Sequence, residues 1–296
     1  MVSSIIGNFL IEKGLITIEQ FRDLMVEQGK VRVKLGLIAV AEGLMEPEEA
    51  ERVNHLQTIM DKRFGDIAIA KGYLTEGQVE MLLKKQSSPY LAFAQALENQ
   101  QLMTIEQLEQ YLLDYRFEKQ LTASAVEDIK SDDIDRILPI FLPVGGVKYM
   151  TAAGIAVRTL MRCVDSEIYP DKAYFTTELK VDRAAVQRML GRVDICCGMA
   201  AEGDGLLYAA SVFGQEEFEE VNEDALDAIG ELINCINGLY AAEESKRGVS
   251  LELRPPEFSD KISSVKSKKM LVIPLHIRES LVNLLMTIDD KLELGK

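Results

Sequence analysis

The alternation of apolar and polar positions in the first 115 residues repeats with a fixed period. Segments of 24 residues begin at positions 5, 34, 63 and 92, and a five-residue spacer separates each segment from the next. The first three segments share a glycine at the third place, a glycine at the tenth and a glutamine at the last: Gly7, Gly36, Gly65, Gly14, Gly43, Gly72, Gln28, Gln57 and Gln86. A constant period is typical of stacked supersecondary units. The pattern predicts an all-α array of four copies with a 29-residue period, in which the fourth copy has lost these shared residues.

Turn and cap signals divide each copy into a short helix and a longer one. The glycine at the tenth place suits the left-handed position that ends a helix. A threonine followed three places later by a glutamine predicts a capping box at the start of the second helix. These pairs are Thr17 with Gln20, Thr75 with Gln78 and Thr104 with Gln107. The second copy has Glu46 and Pro47 instead, and proline is favoured at the first helical position.

These repeats resemble MshEN, the N-terminal module of type II secretion and pilus assembly ATPases. The family motif reads R-L-G-x-x-L-x-x-x-G-x-L followed by L-x-x-A-L-x-x-Q, and this chain has "RFGDIAIAKGYL" from Arg63. The resemblance covers roughly residues 5–115, including the spacer length. It implies a domain over residues 1–118 that senses cyclic di-GMP or docks to pilus or secretion machinery.

The nucleotide site implied by this resemblance spans two successive copies. Copies two and three would supply it through Lys34, Leu35, Gly36, Arg63, Phe64 and Gly65. Position 34 departs from the arginine of the family motif, and an ammonium group is a poor substitute for a planar guanidinium that stacks or forms paired hydrogen bonds. The alternative is that the glycines are helix caps and nothing more.

The 29-residue period stops after residue 118. Asp and Ser residues, then Pro139, Pro143 and the Gly145–Gly146 pair, are typical of a connector. We therefore predict a linker over residues 119–147, with the domain boundary near residue 130, and a second domain over residues 148–296.

The second domain alternates helical and strand-like patterns. "TAAGIAVRTLMRCV" predicts a helix whose inward residues are Ala152, Ile155, Leu160 and Cys163. "YFTTELKV", "AAVQRMLGRVDICCGMAAEG", "VSLELRPPEF", "KMLVIPLHI" and "SLVNLLMTI" read as strands, and "EGDG" predicts a hairpin turn that leads into "LLYAASVFG". The predicted fold is α+β, with long helices on a mainly antiparallel sheet.

A long amphipathic helix is predicted from Glu223 to Glu244, capped by Asn222. On a helical wheel, its apolar face comprises Ala225, Ile229, Leu232, Ile233, Ile236, Leu239 and Tyr240. The opposite face carries Asp224, Asp227, Glu231, Asn234 and Gly238. No Lys or Arg stands at helical spacing from these acids between positions 224 and 244. The pattern predicts a flat acidic strip that can receive another protein.

This helix resembles the signature of the CheC/CheX/FliY chemotaxis phosphatases. Their motif is Asp or Ser, three residues, Glu, two residues, Asn, then about 22 intervening residues and a proline. Asp227, Glu231 and Asn234 match, while Pro255 and Pro256 follow after 20 and 21 residues, slightly short. The resemblance spans about residues 148–290, and the single copy of the motif is similar to that of CheX.

The resemblance implies dephosphorylation of the aspartyl phosphate on a CheY-like response regulator. Mg²⁺ would belong to the receiver domain, and the chain itself would need no metal. Asn234 would orient the attacking water and Glu231 would bind a lysine of the receiver, while Asp227 and Gly238 would support docking. The resemblance also implies a homodimer formed through a sheet edge. The alternative is a signalling adaptor without enzymatic activity that binds a receiver domain or cyclic di-GMP.

Composition excludes several other classes of function. The net charge is -15 and no run of Lys and Arg with interleaved aromatics occurs, so nucleic-acid binding is not expected. No apolar stretch approaches the length of a membrane span and no signal peptide is evident, so we expect a cytoplasmic protein. The cysteines lack the clustering of a zinc site and are expected to be buried free thiols, with Cys196 and Cys197 on opposite faces of a strand. A redox pair at these two positions is the alternative.

Overall fold

The computed structural model describes residues 1–60 and 62–295, which form two compact units. The first unit is Val2–Asp133 and the second runs from Ile134 onward. The division falls within the segment predicted as a linker, and helices occupy much of that segment. No helix in the described part of the chain has both the length and the apolar character that crossing a membrane requires.

The first unit is built from helices that follow the predicted period. Copies two and three each pair a seven-residue helix with a longer one. The helices are α1 (Val2–Glu12), α2 (Ile18–Gln28), α3 (Leu35–Ala41), α4 (Pro47–Ile59), α5 (Phe64–Ala70), α6 (Glu76–Lys85), α7 (Pro89–Asn99), α8 (Ile105–Glu118) and α9 (Ala123–Lys130). Side chains of different copies pack together, because α1 and α2 both contact α7 and α3 contacts α6.

The caps predicted from the repeat are present. Gly14, Gly43 and Gly72 have φ values of 68°, 65° and 76°, which is the left-handed conformation that a helix-ending glycine adopts. The capping boxes form at Thr17, Thr75 and Thr104, and at Glu46 in the second copy. These predictions are confirmed, because cap geometry depends only on residues within one turn of helix.

The glycines at the third place of the repeat are not caps. Gly7, Gly36 and Gly65 lie inside helices. A methyl group at Gly65 would lie 2.8 Å from Cγ1 of Val79, and one at Gly36 would lie 3.1 Å from the Phe64 ring. The alternative that all these glycines only cap helices is therefore wrong for the third place, where glycine allows two helices of one copy, or of neighbouring copies, to pack closely.

Gly7→Ala is expected to destabilise the first unit by about 1–3 kcal/mol. The added methyl group would overlap the ring of Phe21, and this strain outweighs the helix propensity gained from alanine. Gly77→Ala is the matched control, since Gly77 is also helical but has no atom within 4 Å of the added methyl group. Thermal unfolding followed by circular dichroism should show a lower midpoint for the Gly7 variant and an unchanged or higher midpoint for the Gly77 variant. Equal midpoints would contradict the packing explanation.

The second unit combines four helices and a sheet within the described residues. The helices are α10 (Ile134–Phe141), α11 (Met150–Cys163), α12 (Leu207–Gly214) and α13 (Glu223–Lys246), with a 3-10 turn at Gly146–Tyr149. The strands are β1 (Tyr169–Pro170), β2 (Tyr174–Leu179), β3 (Arg183–Gly191), β4 (Ile195–Ala201), β5 (Leu251–Leu253), β6 (Glu257–Ser259), β7 (Ser264–Ile277), β8 (Ser280–Ile288) and β9 (Glu293–Gly295).

The sheet is antiparallel throughout the described strands, as predicted. Its order is β1-β7-β8-β4-β3-β5, with β2 and β9 also paired to β7 and β6 also paired to β3. Every residue of β4 is buried, because strands on both sides and packed side chains on both faces surround it. The α+β fold class is therefore confirmed.

Two details of the second unit differ from the prediction. "LLYAASVFG" forms α12 rather than a strand after a hairpin turn, because a short continuous apolar run fits either a buried helix or a buried strand. In α11 only Leu160 of the four residues predicted to face inward is fully buried; Ala152, Ile155 and Cys163 are half-buried. The buried face of α11 includes Gly154 and Thr159, which a hydropathy pattern does not select.

Helix α13 lies on the sheet and carries the predicted acidic strip. It contacts β3, β4, β5 and β6, and α11 and α12 pack beside it. The other face of β3 contributes Ala184 and Val186 to a separate apolar cluster with residues of β4, β7 and β8. Because side chains alternate along a strand, Gln187 lies on the face of β3 that α13 covers.

Candidate active site on the long helix

Helix α13 begins where the sequence predicts. The Asn222 side chain accepts a hydrogen bond from the Ala225 amide at 2.9 Å, which satisfies one of the free N–H groups of the first turn. Glu223 and Asp224 lie in that turn, where negatively charged side chains interact favourably with the helix dipole and stabilise the helix. The helix runs to Lys246, two residues beyond its predicted end.

The predicted polar strip is on the accessible side of α13. Asp227 and Glu231 are exposed, and Asn234 and Gly238 are half-buried. A methyl group at Gly238 would meet no atom within 4 Å, so the surface beside it is open. Leu239 was predicted to face the core but is 41% exposed, because it lies at the edge of the buried arc, away from Ile233 at its centre.

Two buried side-chain amides and one backbone carbonyl hold the Asn234 side chain in place. Gln187 donates from Nε2 to Oδ1 of Asn234 at 2.8 Å and to the backbone carbonyl of Arg254, also at 2.8 Å. Asn237 donates from Nδ2 to Oε1 of Gln187 at 2.8 Å. Gln187 and Asn237 are 2% and 1% exposed, so these hydrogen bonds satisfy groups that have no access to water.

The sequence analysis missed Gln187, Asn237 and Arg254. Asn237 carried a signal, because an asparagine stands among apolar residues on the buried side of the helical wheel. Gln187 carried a weaker one, because Ala185 and Met189, the residues before and after it on the same face of the strand, are apolar. Nothing in the sequence pairs the two, since they are 50 positions apart.

A proline packs against the helix one turn before Asn234. A methyl group at Gly230 would lie 3.1 Å from Cβ of Pro256 and 3.7 Å from the Phe258 ring. Glycine at this position therefore lets the segment between β5 and β6 approach α13 closely. The same segment supplies the Arg254 carbonyl that holds Gln187, so the proline segment and the amide network form one structure beside Asn234.

The charge of this surface is negative. In the part of the chain that the structure describes, no ion pair joins Asp227 or Glu231 to a basic side chain. A carboxylate without a basic partner on an accessible helix face is available to a cation of another molecule. The two carboxylates stand one helical turn apart, so they present their charge together.

The cysteines differ from their prediction in part. Cys196 and Cys197 are buried in β4 as predicted, and burial raises the pKa of the Cys196 thiol to about 11 and that of Cys197 to about 12. These pKa values keep both thiols protonated near neutral pH, which disfavours a redox pair. Cys163 is half-buried and Cys235 is exposed on α13, so the prediction of buried thiols is wrong for Cys235. No group of three or more His, Cys, Asp and Glu residues suited to a metal ion occurs within residues 1–60 and 62–295.

The first unit contains a cavity at the residues proposed for the nucleotide. Its volume is about 900 Å³, and Lys34, Leu35, Arg63, Phe64 and Gly65 all contribute to its lining. Gly36 does not line the cavity and is buried against the Phe64 ring. The sequence analysis missed other lining residues, among them Arg32, Asn54, Gln57, Asp66 and Gln86.

The last glutamine of each repeat has a structural partner in this unit. Gln86 donates from Nε2 to the Val33 carbonyl at 2.6 Å, and Gln28 donates to the Pro89 carbonyl at 3.1 Å. Both bonds reach from one copy to the spacer or helix start of another, 53 and 61 positions away. Gln28 and Gln86 therefore hold different copies in register, whereas Gln57 donates to the carbonyl of Lys62, only five positions further along the chain.

Comparisons with known proteins agree on the second unit. Residues 183–276 match the family model of the chemotaxis phosphatase CheX. This segment contains β3, β4, α12, α13, β5 and β6 and most of β7. It therefore includes Gln187, the acidic strip and the proline segment. The C-terminal unit thus contains a CheX-like domain within an α+β fold.

Several solved structures are similar to this unit. A CheC-like superfamily protein from Shewanella sp. PV-4 has 18% identity over 49% of this chain and 98% of its own, with a TM-score of 0.43. The chemotaxis protein CheX from Desulfovibrio desulfuricans has 17% identity over 47% and 97%, with a TM-score of 0.41. A structure of the CheX–CheY–BeF₃–Mg²⁺ complex from Borrelia burgdorferi has 16% identity over 47% and 95%, with a TM-score of 0.38. No curated protein sequence matches the chain.

Proposed function

We propose that this chain accelerates hydrolysis of the aspartyl phosphate on a CheY-like receiver domain. The observation that carries this proposal is the pairing of an exposed Glu231 with an anchored Asn234 on one accessible helix face. The match of the surrounding residues to the CheX family model supports it. Neither a nucleophile nor a metal ion of this chain takes part in the proposed reaction, and Mg²⁺ would be held by the receiver.

The reaction requires a water molecule placed in line with the phosphorus atom. The water oxygen forms a bond to phosphorus while the bond from phosphorus to the aspartyl oxygen breaks. The aspartate keeps the electron pair of the broken bond, and inorganic phosphate leaves with both hydrogens of the water. A carboxamide both donates and accepts hydrogen bonds, so Asn234 can orient that water. This is the same role that a glutamine plays in small GTPases.

Docking of the receiver rests on the negative strip. Glu231 would accept a hydrogen bond or ion pair from a lysine beside the receiver's phosphorylated aspartate, and Asp227 would support it one turn earlier on the helix. The open surface at Gly238 leaves room for the receiver backbone. A homodimer through a sheet edge is part of this proposal, since the short strands β5 and β6 stand at one end of the sheet order.

The direct test measures phosphate loss from a phosphorylated receiver domain with and without the 296-residue chain. A faster loss supports the enzyme, and an unchanged rate together with binding supports the adaptor instead. An unchanged rate without binding rejects both.

We further propose that the repeats form an MshEN-like module that binds cyclic di-GMP in the 900 Å³ cavity. Arg32, Lys34 and Arg63 bring three positive charges to its lining, which suits a ligand with two phosphates. Asp66 also lines it, so the cavity is not uniformly basic. Docking of the repeats to pilus or secretion machinery is the other role proposed for this unit.

Arg63→Ala is expected to weaken binding of cyclic di-GMP at least tenfold in isothermal titration calorimetry, because a guanidinium bound to a phosphate or stacked on a base contributes on the order of 1.5–3 kcal/mol. Arg52→Ala is the matched control, since Arg52 packs over the Tyr73 ring and does not line the cavity. If titration of cyclic di-GMP into the wild-type protein gives no heat of binding, this proposal is rejected. If the Arg63 and Arg52 variants bind cyclic di-GMP with equal affinity, the cavity is not the binding site.

A further inference from the structure

The direction in which the Asn234 amide points is determined by a backbone carbonyl. The two ends of a carboxamide have nearly the same shape, and their hydrogen-bond partners decide which end is oxygen and which is nitrogen. The Arg254 carbonyl can only accept, so the Gln187 atom facing it at 2.8 Å must be the nitrogen Nε2. The second hydrogen of that nitrogen points to Asn234 at 2.8 Å. The Asn234 atom that faces Gln187 must therefore be the acceptor Oδ1.

The opposite orientation of Gln187 is excluded by the Arg254 carbonyl, which has no hydrogen to donate. Oε1 of Gln187 accepts from Nδ2 of Asn237. Turning the Gln187 amide by 180° would place its oxygen against the Arg254 carbonyl, so two acceptors would face each other. Both residues are almost completely buried, so water cannot compensate for this mismatch.

We infer that Gln187 is a positioning residue, held by Asn237 and the Arg254 carbonyl, that keeps Oδ1 of Asn234 inward and its Nδ2 outward before a receiver binds. This inference rests on the phosphatase function proposed above. The Nδ2 hydrogens then face the side from which the phosphoryl group arrives. Oδ1 retains one lone pair for a hydrogen of the attacking water. An asparagine without this anchor would sample both orientations and several rotamers, and it would have to be ordered in each catalytic cycle.

The expected consequence is a loss in kcat without a matching change in KM. Gln187 touches neither the receiver nor the water, and the docking carboxylates on α13 are unchanged when it is replaced. Misplacing a catalytic group by about 1 Å lowers rates by as much as 100-fold. We expect Gln187→Met, which keeps the length of the side chain and removes its amide, to lower kcat about tenfold.

The test separates positioning from stability with a second variant. Gln187→Met leaves Nδ2 of Asn237 buried without its acceptor, so this variant is expected to lose stability as well as activity. The double variant Gln187→Met with Asn237→Leu removes both buried amides, which is far less disruptive than removing one, but it still has no donor to Oδ1 of Asn234 or to the Arg254 carbonyl. We expect the double variant to regain much of its thermal midpoint while kcat stays about tenfold below the wild-type value.

The outcomes distinguish failure of the positioning inference from failure of the phosphatase proposal. If kcat recovers together with the thermal midpoint in the double variant, Gln187 is only structural and the positioning inference is overturned. If either variant that folds keeps the wild-type kcat, the inference is overturned in the same way and the phosphatase proposal stands. If the wild-type protein does not accelerate phosphate loss at all, the phosphatase proposal fails and the inference falls with it.

Discussion

Asn234→Ala is expected to lower the catalysed rate of receiver dephosphorylation by about 100-fold or more, the usual effect of removing one preorganised hydrogen-bonding group from a reaction centre. The variant leaves the attacking water without the amide that orients it. Docking through Glu231 is unchanged, so the loss should appear in kcat, while the affinity for the phosphorylated receiver stays close to the wild-type value. Phosphate release measured under single-turnover conditions, together with a binding isotherm, separates these two quantities.

Cys235→Ala is the matched control for Asn234→Ala. Cys235 is the next residue of the same helix, and it is exposed, so its replacement by alanine changes the same stretch of helix without touching the amide network. Asn234→Ala leaves one hydrogen of the buried Gln187 amide without its acceptor, a cost of about 1–3 kcal/mol, which should leave the fold intact by circular dichroism. Equal rates for wild type and a folded Asn234→Ala protein would leave the adaptor as the better description of this chain.

Glu231→Lys is expected to weaken association with the receiver roughly 30-fold, because placing like charges opposite each other at an interface is strongly unfavourable. The substitution puts a cation where the receiver's lysine is proposed to bind. Its effect should appear mainly in KM and in the association rate, and it should decrease as ionic strength rises. This outcome would distinguish docking by Glu231 from the water-orienting role of Asn234.

Glu202→Lys is the control of equal charge change. Glu202 is exposed in the turn that follows β4. It follows the end of β4 at which Ala201 pairs with Arg183, whereas Gln187 pairs with Cys197 further along the same two strands. A similar loss of affinity in both variants would indicate that only the net charge of the protein matters. A loss confined to Glu231→Lys supports a specific contact on α13.

Predictions agree with the structure where the sequence signal depends on residues that are close together along the chain. The predicted helix caps are correct because a cap involves residues only three positions apart. They are the capping boxes at Thr17, Thr75 and Thr104 and the Asn222 cap of α13. The prediction that Asp227 and Glu231 are exposed is correct because a helical wheel depends only on the geometry of the helix. "LLYAASVFG" was misassigned because nothing in those nine residues distinguishes a buried helix from a buried strand.

The repeats also contain one feature that the sequence explained and one that only the structure explained. The sequence showed that two glycines recur, and it assigned the tenth-place glycine to a helix end. It did not show that the third-place glycines permit close packing, because that depends on Phe21, Phe64 and Val79, which reach them only after the helices have packed. Periodicity reveals that a position is constrained, but contacts between helices reveal the reason.

The sequence by itself determined the helix that presents Glu231 and Asn234, the side of that helix which they occupy, and the repeated helix pairs before it. The tertiary structure alone decided how Asn234 is held, because Gln187 stands 47 positions before it and the Arg254 carbonyl that orients Gln187 is 67 positions from that glutamine. Local sequence signals act over one or two turns of helix. An orientation enforced by buried hydrogen bonds exists only when distant strands and helices have packed and water has been excluded from between them.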